Sequence, residues 1–325
     1  MHRILSVLFL FLLLSCKDAL RRDSLPHSFG EHNSILVVID DKLWYGNIGD
    51  SIRSYLASFV KDVEPAESEY SLLQISPRLF DQDYKKYRNI VVFSDNHNDI
   101  NFSYEGNKFA SPQNYFVVTA MNRDELVNTF ILENDSIKNL IKKTEIQVYI
   151  DNIRSERLHP KELLSHPFDI ELDLPVTFKQ AKKGEDFIWF KKDIASGSSN
   201  ILVYAVPIHN IENVNNTVID NIIATKDSVT RKYIQSSEVG SMMKTYIKEI
   251  SSHKSIVLGG KEGIVIEGTW DMLNSFMTGP YMTYVFKDEE IDRYVFIEGM
   301  VYNPSMSKRK MLAELEGIIN TIYFK

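Results

Sequence analysis

The chain of 325 residues carries 37 Lys plus Arg against 44 Asp plus Glu, with 44% hydrophobic and 11% aromatic residues and a single cysteine. The acidic balance excludes a general nucleic-acid binder, whose affinity rests on cations neutralising phosphates, and the apolar fraction excludes a disordered chain. One cysteine excludes an intrachain disulfide and a cysteine-built metal site, so stability must come from packing.

Met1, His2 and Arg3 give a basic start, Ile4 to Leu14 is an almost unbroken apolar run, and Ser15 and Cys16 follow. The run is shorter than the roughly 20 residues that span a bilayer core, and the order of charged, apolar and small residues reads as a secretory signal over 1–15. Leu13-Leu14-Ser15-Cys16 resembles a bacterial lipobox. That resemblance implies cleavage before Cys16, a diacylglycerol thioether on its sulfur and usually a further acyl chain on the new amino terminus. At about 0.8 kcal/mol per buried methylene, two or three chains hold a protein on a bilayer where one does not. Without Arg3 the remaining chain has 36 cations against 44 carboxylates, a net charge of −8, so lipid rather than charge is expected to provide the membrane contact. Lys17 stands where Asp favours inner-membrane retention in some bacteria, which points to the outer membrane and leaves the leaflet open.

Residues 16–33 are polar, contain Pro26 and Gly30, and read as the lipidated cysteine and a flexible tether with solvated His27 and His32. A first domain over 34–156 follows. Ser34 to Asp40 predicts a strand buried on both faces, and Asp50 reads as the cap of a helix with Ile52, Tyr55, Leu56 and Phe59 on one face. Strands are expected at Tyr70–Ile75, Asn89–Phe93 and Asn114–Ala120, with a short helix beginning at Pro77. From Asn122 to about Glu156 the apolar spacing predicts two helices or one broken near Asp135-Ser136. Alternating strands and helices suggest an α/β layered sheet.

His159-Pro160 and His166-Pro167 mark a boundary within 157–167, and a second domain is expected over 168–325. Phe168 to Leu174 alternates apolar and acidic residues as a strand with one wet face does. Further strands are expected at Phe187–Phe190, Ile201–Val206, Gly263–Trp270, Tyr281–Phe286 and Tyr294–Tyr302, with helical segments at 217–223 and 227–234. An amphipathic helix capped near Ser305 or Ser307 closes the chain, presenting Met311, Leu312, Leu315, Ile318, Ile319 and Ile322. This half reads as an antiparallel sheet covered by helices, so the fold class is α+β with two domains.

Several motifs occur in a characteristic order. They are Trp44-Tyr45-Gly46 with Gly49-Asp50-Ser51-Ile52-Arg53, Arg88-Asn89-Ile90, Asp227-Ser228-Val229 and Gly240-Ser241-Met242-Met243. Gly268-Thr269-Trp270, Phe276-Met277-Thr278-Gly279-Pro280 and Glu298-Gly299-Met300-Val301-Tyr302-Asn303-Pro304 with Lys308-Arg309 complete the set. Together they resemble domain of unknown function 4837, a lipoprotein family of Bacteroidota, across nearly the whole mature chain. The resemblance implies a cell-envelope lipoprotein and carries no activity or site. Thr278 departs from the glycine expected there, which bears on the tightness of that turn. Phe168 to Leu174 with Pro175 and the closing strand and helix also resemble Mog1 and PsbP-like sandwiches, where fold alone does not assign function.

The common catalytic signatures are absent: there is no G-x-S-x-G, no H-E-x-x-H, no dinucleotide fingerprint and no P-loop. Asp95 to Asp99 begins like a calcium loop but has Ile100 where the turn glycine belongs, so neither a metal nor a cofactor is expected beyond the acyl lipid. Ile266-Glu267-Gly268 and Ile297-Glu298-Gly299 repeat one tripeptide on two expected strands. Alternation puts Glu298 beside Phe296, Met300 and Tyr302, an apolar setting that raises a carboxyl pKa unless a cation compensates. The pair could serve as acid and base in an envelope hydrolase or transferase, or each could make a structural ion pair, with Arg293 and Arg309 as candidate partners. Trp44 and Trp270 are candidates for an exposed partner surface, and Ser24, in an Asp-Ser-aliphatic tripeptide, resembles an O-glycosylation acceptor. The reading favoured by these observations is a non-catalytic binding or assembly module that meets the membrane through lipid and takes an envelope protein or small ligand as partner.

Overall fold

The computed structural model describes residues 25–325 except 62, 96–99, 213–215, 237 and 306, and omits the side chains of 247–251. The expected signal, Cys16 and Ser24 lie outside the described residues.

The β-branched runs of the first half form a five-stranded sheet in the order β2-β1-β3-β5-β4, with β1 Ser34–Val38, β2 Ser71–Ile75, β3 Asn89–Ser94, β4 Asn101–Gly106 and β5 Asn114–Thr119. All pairs are parallel except β4 with β5. Asp40 caps α1 (Asp41–Trp44) by accepting the Lys42 N–H at 2.9 Å. α2 (Asn47–Leu56) starts at Gly46 rather than at the expected Asp50, which sits in its first turn and pairs with Arg53 at 2.6 Å. Gly49 has a steric role: a Cβ there would lie 1.8 Å from the Trp44 carbonyl oxygen.

The two helices expected after Asn122 are one, α3 (Arg123–Ser155), capped by Asn122 on the Glu125 N–H at 3.0 Å. No glycine or proline interrupts it, and buried residues continue past Asp135. Leu126, Phe130, Ile137 and Ile141 pack in the first domain's core, whereas Tyr149 and Ile153 belong to the core of the second. At about 1.5 Å per residue, the helix is a rod of about 50 Å crossing from one domain to the other.

The expected tether does not extend to residue 33. His27 bridges Ser111, Phe29 bridges Tyr87, and the Arg88 N–H donates to the Phe29 carbonyl at 2.8 Å. His32, expected to be solvated, stacks on Tyr149 with ring centres 4.0 Å apart and contacts Glu145 at 3.1 Å.

The second half builds a seven-stranded antiparallel sheet ordered β10-β11-β12-β13-β9-β8-β7. Its strands are β7 Lys179–Lys183, β8 Phe187–Ile194, β9 Gly197–Pro207, β10 Met242–Leu258, β11 Lys261–Leu273, β12 Thr278–Asp288 and β13 Arg293–Tyr302. One face packs on α3 and on α7 (Arg309–Ile319) through Leu315, Ile318 and Ile319, and the other on α5 (His209–Glu212) through Ile211 and on α6 (Val218–Tyr233) through Ile222 and Ile223. α6 is continuous where two helical segments were expected. The chain is therefore α+β, with a largely parallel layered sheet followed by a helix-covered antiparallel one.

Phe168 to Leu174 departs from its expected place in the main sheet. Phe168 ends α4 (Glu162–Phe168), Asp169 turns left-handed at φ 55°, and only β6 (Ile170–Glu171) pairs, with β14 (Tyr323–Phe324). Phe168, Ile170, Leu172 and Leu174 are nonetheless all buried, so the alternation recorded burial rather than membership of the large sheet. Thr278 opens β12 and donates its hydroxyl to the Trp270 carbonyl at 2.7 Å. Gly279 beside it is constrained by close approach, since a Cβ would stand 2.0 Å from the Val301 oxygen.

Candidate functional site

Glu267 and Glu298 do not form a catalytic pair. Glu267 lies opposite Met282 and Glu298 opposite Thr283 on neighbouring pairs of the ladder. Adjacent positions on β12 point to opposite sides, so the two carboxylates face away from each other across the sheet.

Glu298 is fully buried beneath α6. Its Oε2 accepts the Tyr204 hydroxyl at 3.3 Å and its Oε1 lies 3.5 Å from the Lys226 ammonium, itself 1% exposed. Neither Arg293 nor Arg309 reaches it. Arg293 pairs with Asp169 at 2.6 Å and Asp288 at 3.1 Å, and Arg309 binds first-domain oxygens. Lys226 also donates to Thr245 Oγ1 at 3.3 Å and lies 4.1 Å from the centre of the Tyr281 ring. Asp227 accepts from the Thr245 N–H at 2.8 Å and from its hydroxyl at 2.7 Å. Burial raises the Glu298 pKa, and Lys226 offsets this only in part. Burial also pulls Lys226 down, but Glu298, Tyr281 and Asp227 outweigh it and hold the ammonium charged. This is a buried clamp between α6 and the sheet. Sequence reasoning missed Lys226, although its spacing from Ile219, Ile222 and Ile223 puts it on the apolar face of the helix.

Glu267, on the other face, lines a cleft of about 520 Å³ where the two domains meet. That volume falls within the roughly 300–1,000 Å³ typical of small-molecule sites. The sheet supplies the floor with Ser252, Glu267 and Met282. α3 supplies Lys138, Lys142 and Tyr149, and α7 supplies Arg309, Leu312 and Glu316, while residues 58–61 and 69–70 close the remaining side.

The walls are fixed by contacts between domains. Glu67, from the segment joining α2 to β2, accepts the backbone N–H groups of Lys308 at 2.6 Å and Arg309 at 3.1 Å. It supplies the cap that α7 lacks, since Lys308 at its N-cap makes no side-chain cap bond and the first N–H groups of a helix need acceptors. The Arg309 guanidinium donates to the carbonyl oxygens of Ser68 and Glu69 and, at 3.0 Å, to the Ser71 hydroxyl. Lys142 meets Glu316 at 2.8 Å. Burial pulls Lys142 down, but Glu316, Glu267 and Glu69 outweigh it and raise its pKa above the usual 10.5.

Glu145 is 2% exposed and accepts from Arg88 Nε at 2.9 Å and Asn89 Nδ2 at 2.7 Å. Burial opposes its ionisation, yet His32, Arg88 and Asn89 prevail and hold its pKa below the usual 4.5. The Arg88-Asn89 motif thus serves to anchor the helix that walls the cleft.

The remaining sequence candidates lie elsewhere. Trp270, one of two candidates for a partner surface, is 2% exposed and donates its indole N–H to the Val301 carbonyl at 3.2 Å. Trp44 is half-buried against the first core, with the Arg53 guanidinium 4.6 Å from its ring centre. Asp95 faces Arg123 at 3.6 Å, and the rest of its loop, 96–99, lies outside the described residues. Among the described residues, no group of three or more His, Cys, Asp or Glu is placed to hold a metal ion, and no helix is long and apolar enough to cross a membrane.

Residues 28–154 match the profile described as Domain of unknown function (DUF8532), and residues 157–321 that described as Domain of unknown function (DUF4837). No curated protein matches the chain. A solved structure from Bacteroides thetaiotaomicron VPI-5482 is similar at 11% identity and a TM-score of 0.27, over 48% of this chain and 45% of that one. The chain therefore spans less than half the length of that protein. The Ran-binding protein Mog1p of Saccharomyces cerevisiae is similar at 8% identity and a TM-score of 0.31, over 48% of this chain and 90% of that one. Neither likeness bears on ligand or activity. The second-domain match covers just over half of the chain, and the protein belongs to the DUF4837 family.

Proposed function

We propose that this protein is a lipid-anchored component of the bacterial cell envelope, held at the outer membrane through Cys16, that binds a small ligand in the cleft between its domains and catalyses no reaction. The observation that carries the binding reading is the cleft itself, about 520 Å³ in volume and walled by residues from both domains. The placement rests on the basic start, the apolar run and the lipobox-like Leu13 to Cys16. The hydrolase or transferase reading required Glu267 and Glu298 to act together, and they stand on opposite faces of the sheet.

Two measurements test this. Metabolic labelling with palmitate should mark the wild-type protein and leave Cys16→Ala unlabelled and water-soluble; equal labelling of both refutes the anchor. Native mass spectrometry of the gently purified protein should show a retained small molecule that is lost when the cleft is blocked by Ser252→Trp, at a floor position opposite Glu267. A ligand-free spectrum, or retention by the blocked variant, refutes the site.

A further inference from the structure

Most of the charge lining the cleft is paired internally: Lys138 with Glu69, Lys142 with Glu316, and Glu145 with Arg88 and His32. Besides the exposed Lys61, two groups of opposite sign stand apart. On the floor, Glu267 accepts the Ser252 hydroxyl at 3.0 Å and makes no ion pair among the described residues. On the wall, Arg309 is held by carbonyl and hydroxyl oxygens; among the described residues its guanidinium meets no carboxylate and its buried Nε has no hydrogen-bond partner. On the same cleft lining, the hydroxyl of Tyr149, a residue 8% exposed, also lacks a partner among the described residues. Arg309 lies close enough to Tyr149 for its charge to pull down the phenol pKa, although burial and neighbouring carboxylates push it up overall. The cleft wall thus carries two buried donors without acceptors among the described residues, on Arg309 and Tyr149, and its floor a carboxylate outside any ion pair; buried donors without acceptors are rare in folded proteins.

We infer that the cleft takes an amphoteric molecule, with an ammonium directed at Glu267 and a carboxylate directed at Arg309 and Tyr149, as in a short free peptide. The inference rests on the cleft being a binding site and adds the chemistry of its occupant. Selectivity follows from pairing: a ligand lacking one charge leaves its half-buried protein partner unmatched. The Ser252 hydroxyl, already donating to Glu267, orients that carboxylate for the incoming ammonium.

Titration calorimetry with the alanine series from dialanine to tetra-alanine, each also N-acetylated or C-amidated, tests this. The best free peptide should bind at least about tenfold more tightly than either of its capped forms, a difference of about 1.4 kcal/mol. Glu267→Gln should abolish the preference for a free amine and keep that for a free acid. Tyr149→Phe should weaken binding of the free acid without lowering the melting temperature of the empty protein, a combination that a merely structural tyrosine does not produce. Equal affinity for free and doubly capped peptides, or no binding to any of them at about 1 mM, overturns the inference. A retained molecule carrying neither charge, seen by native mass spectrometry, overturns it while leaving the cleft as a binding site.

Discussion

Lys226→Met is the most informative perturbation of the fold, because it removes a buried cation while keeping most of its volume. Glu298, with no exposure, then keeps the Tyr204 hydrogen bond and the nearby Asp227 charge but loses the cation that faced it. Two outcomes compete: the carboxylate stays charged in an apolar site, or it takes up a proton. Breaking a buried pair by removing one partner costs about 3–5 kcal/mol. Protonation sets a ceiling on that cost, since neutralising a carboxyl of ordinary pKa 4.5 at pH 7 costs about 3 kcal/mol, at 1.36 kcal/mol per pH unit. The expected loss at pH 7 is therefore about 3 kcal/mol, and at pH 5 it falls below about 1 kcal/mol. The sign follows from linkage: a carboxyl whose folded pKa is raised above the unfolded value stabilises the fold at low pH and loses that contribution as pH rises through the folded value. Urea unfolding of wild type and variant at pH 5 and pH 7 measures both numbers. Lys226→Met/Glu298→Gln should recover most of the loss at pH 7, because it leaves no lone charge. An equal loss at the two pH values, or no recovery in the double variant, refutes the account of this clamp.

Glu145→Gln leaves Arg88, 7% exposed, without its carboxylate, and should cost about 2–4 kcal/mol at pH 7. The Glu145 pKa is lowered in the fold, so its contribution is present above about pH 4.5 and is lost as pH falls through the folded value; denaturation curves of the two proteins should converge in acid. Glu67→Ala strips α7 of its cap and should cost about 1–2 kcal/mol, with faster proteolysis between α2 and β2 as the visible sign. Phe276→Ser, at a fully exposed hairpin tip, should change stability by less than about 0.5 kcal/mol, which thermal unfolding checks.

Strands rich in valine and isoleucine were legible in the chain because burial on both faces leaves little choice of residue. The strands missed were those whose chemistry is that of an edge. β7 reads Lys-Gln-Ala-Lys-Lys and is wholly exposed, and β10 mixes Lys, Glu, Ser and His along its length, so neither carries an apolar alternation. Glu298 was readable as a buried carboxylate, and its partner was readable too, since Lys226 interrupts an apolar helical stripe. The cleft was not: its lining comes from segments near 58–70, 138–149, 252–282 and 309–316, and only the tertiary fold brings them together.

The 50 Å rod of α3 has a consequence for how the protein can respond to a ligand. Two-lobed receptors that clamp their cargo need a pliable joint between the lobes, and here a continuous helix, rooted in both cores, takes the place of that joint. The aperture is set in advance like the jaw of a fixed spanner, so fit selects the cargo rather than the cargo reshaping the jaw. Small-angle scattering profiles recorded with and without a bound molecule should superimpose.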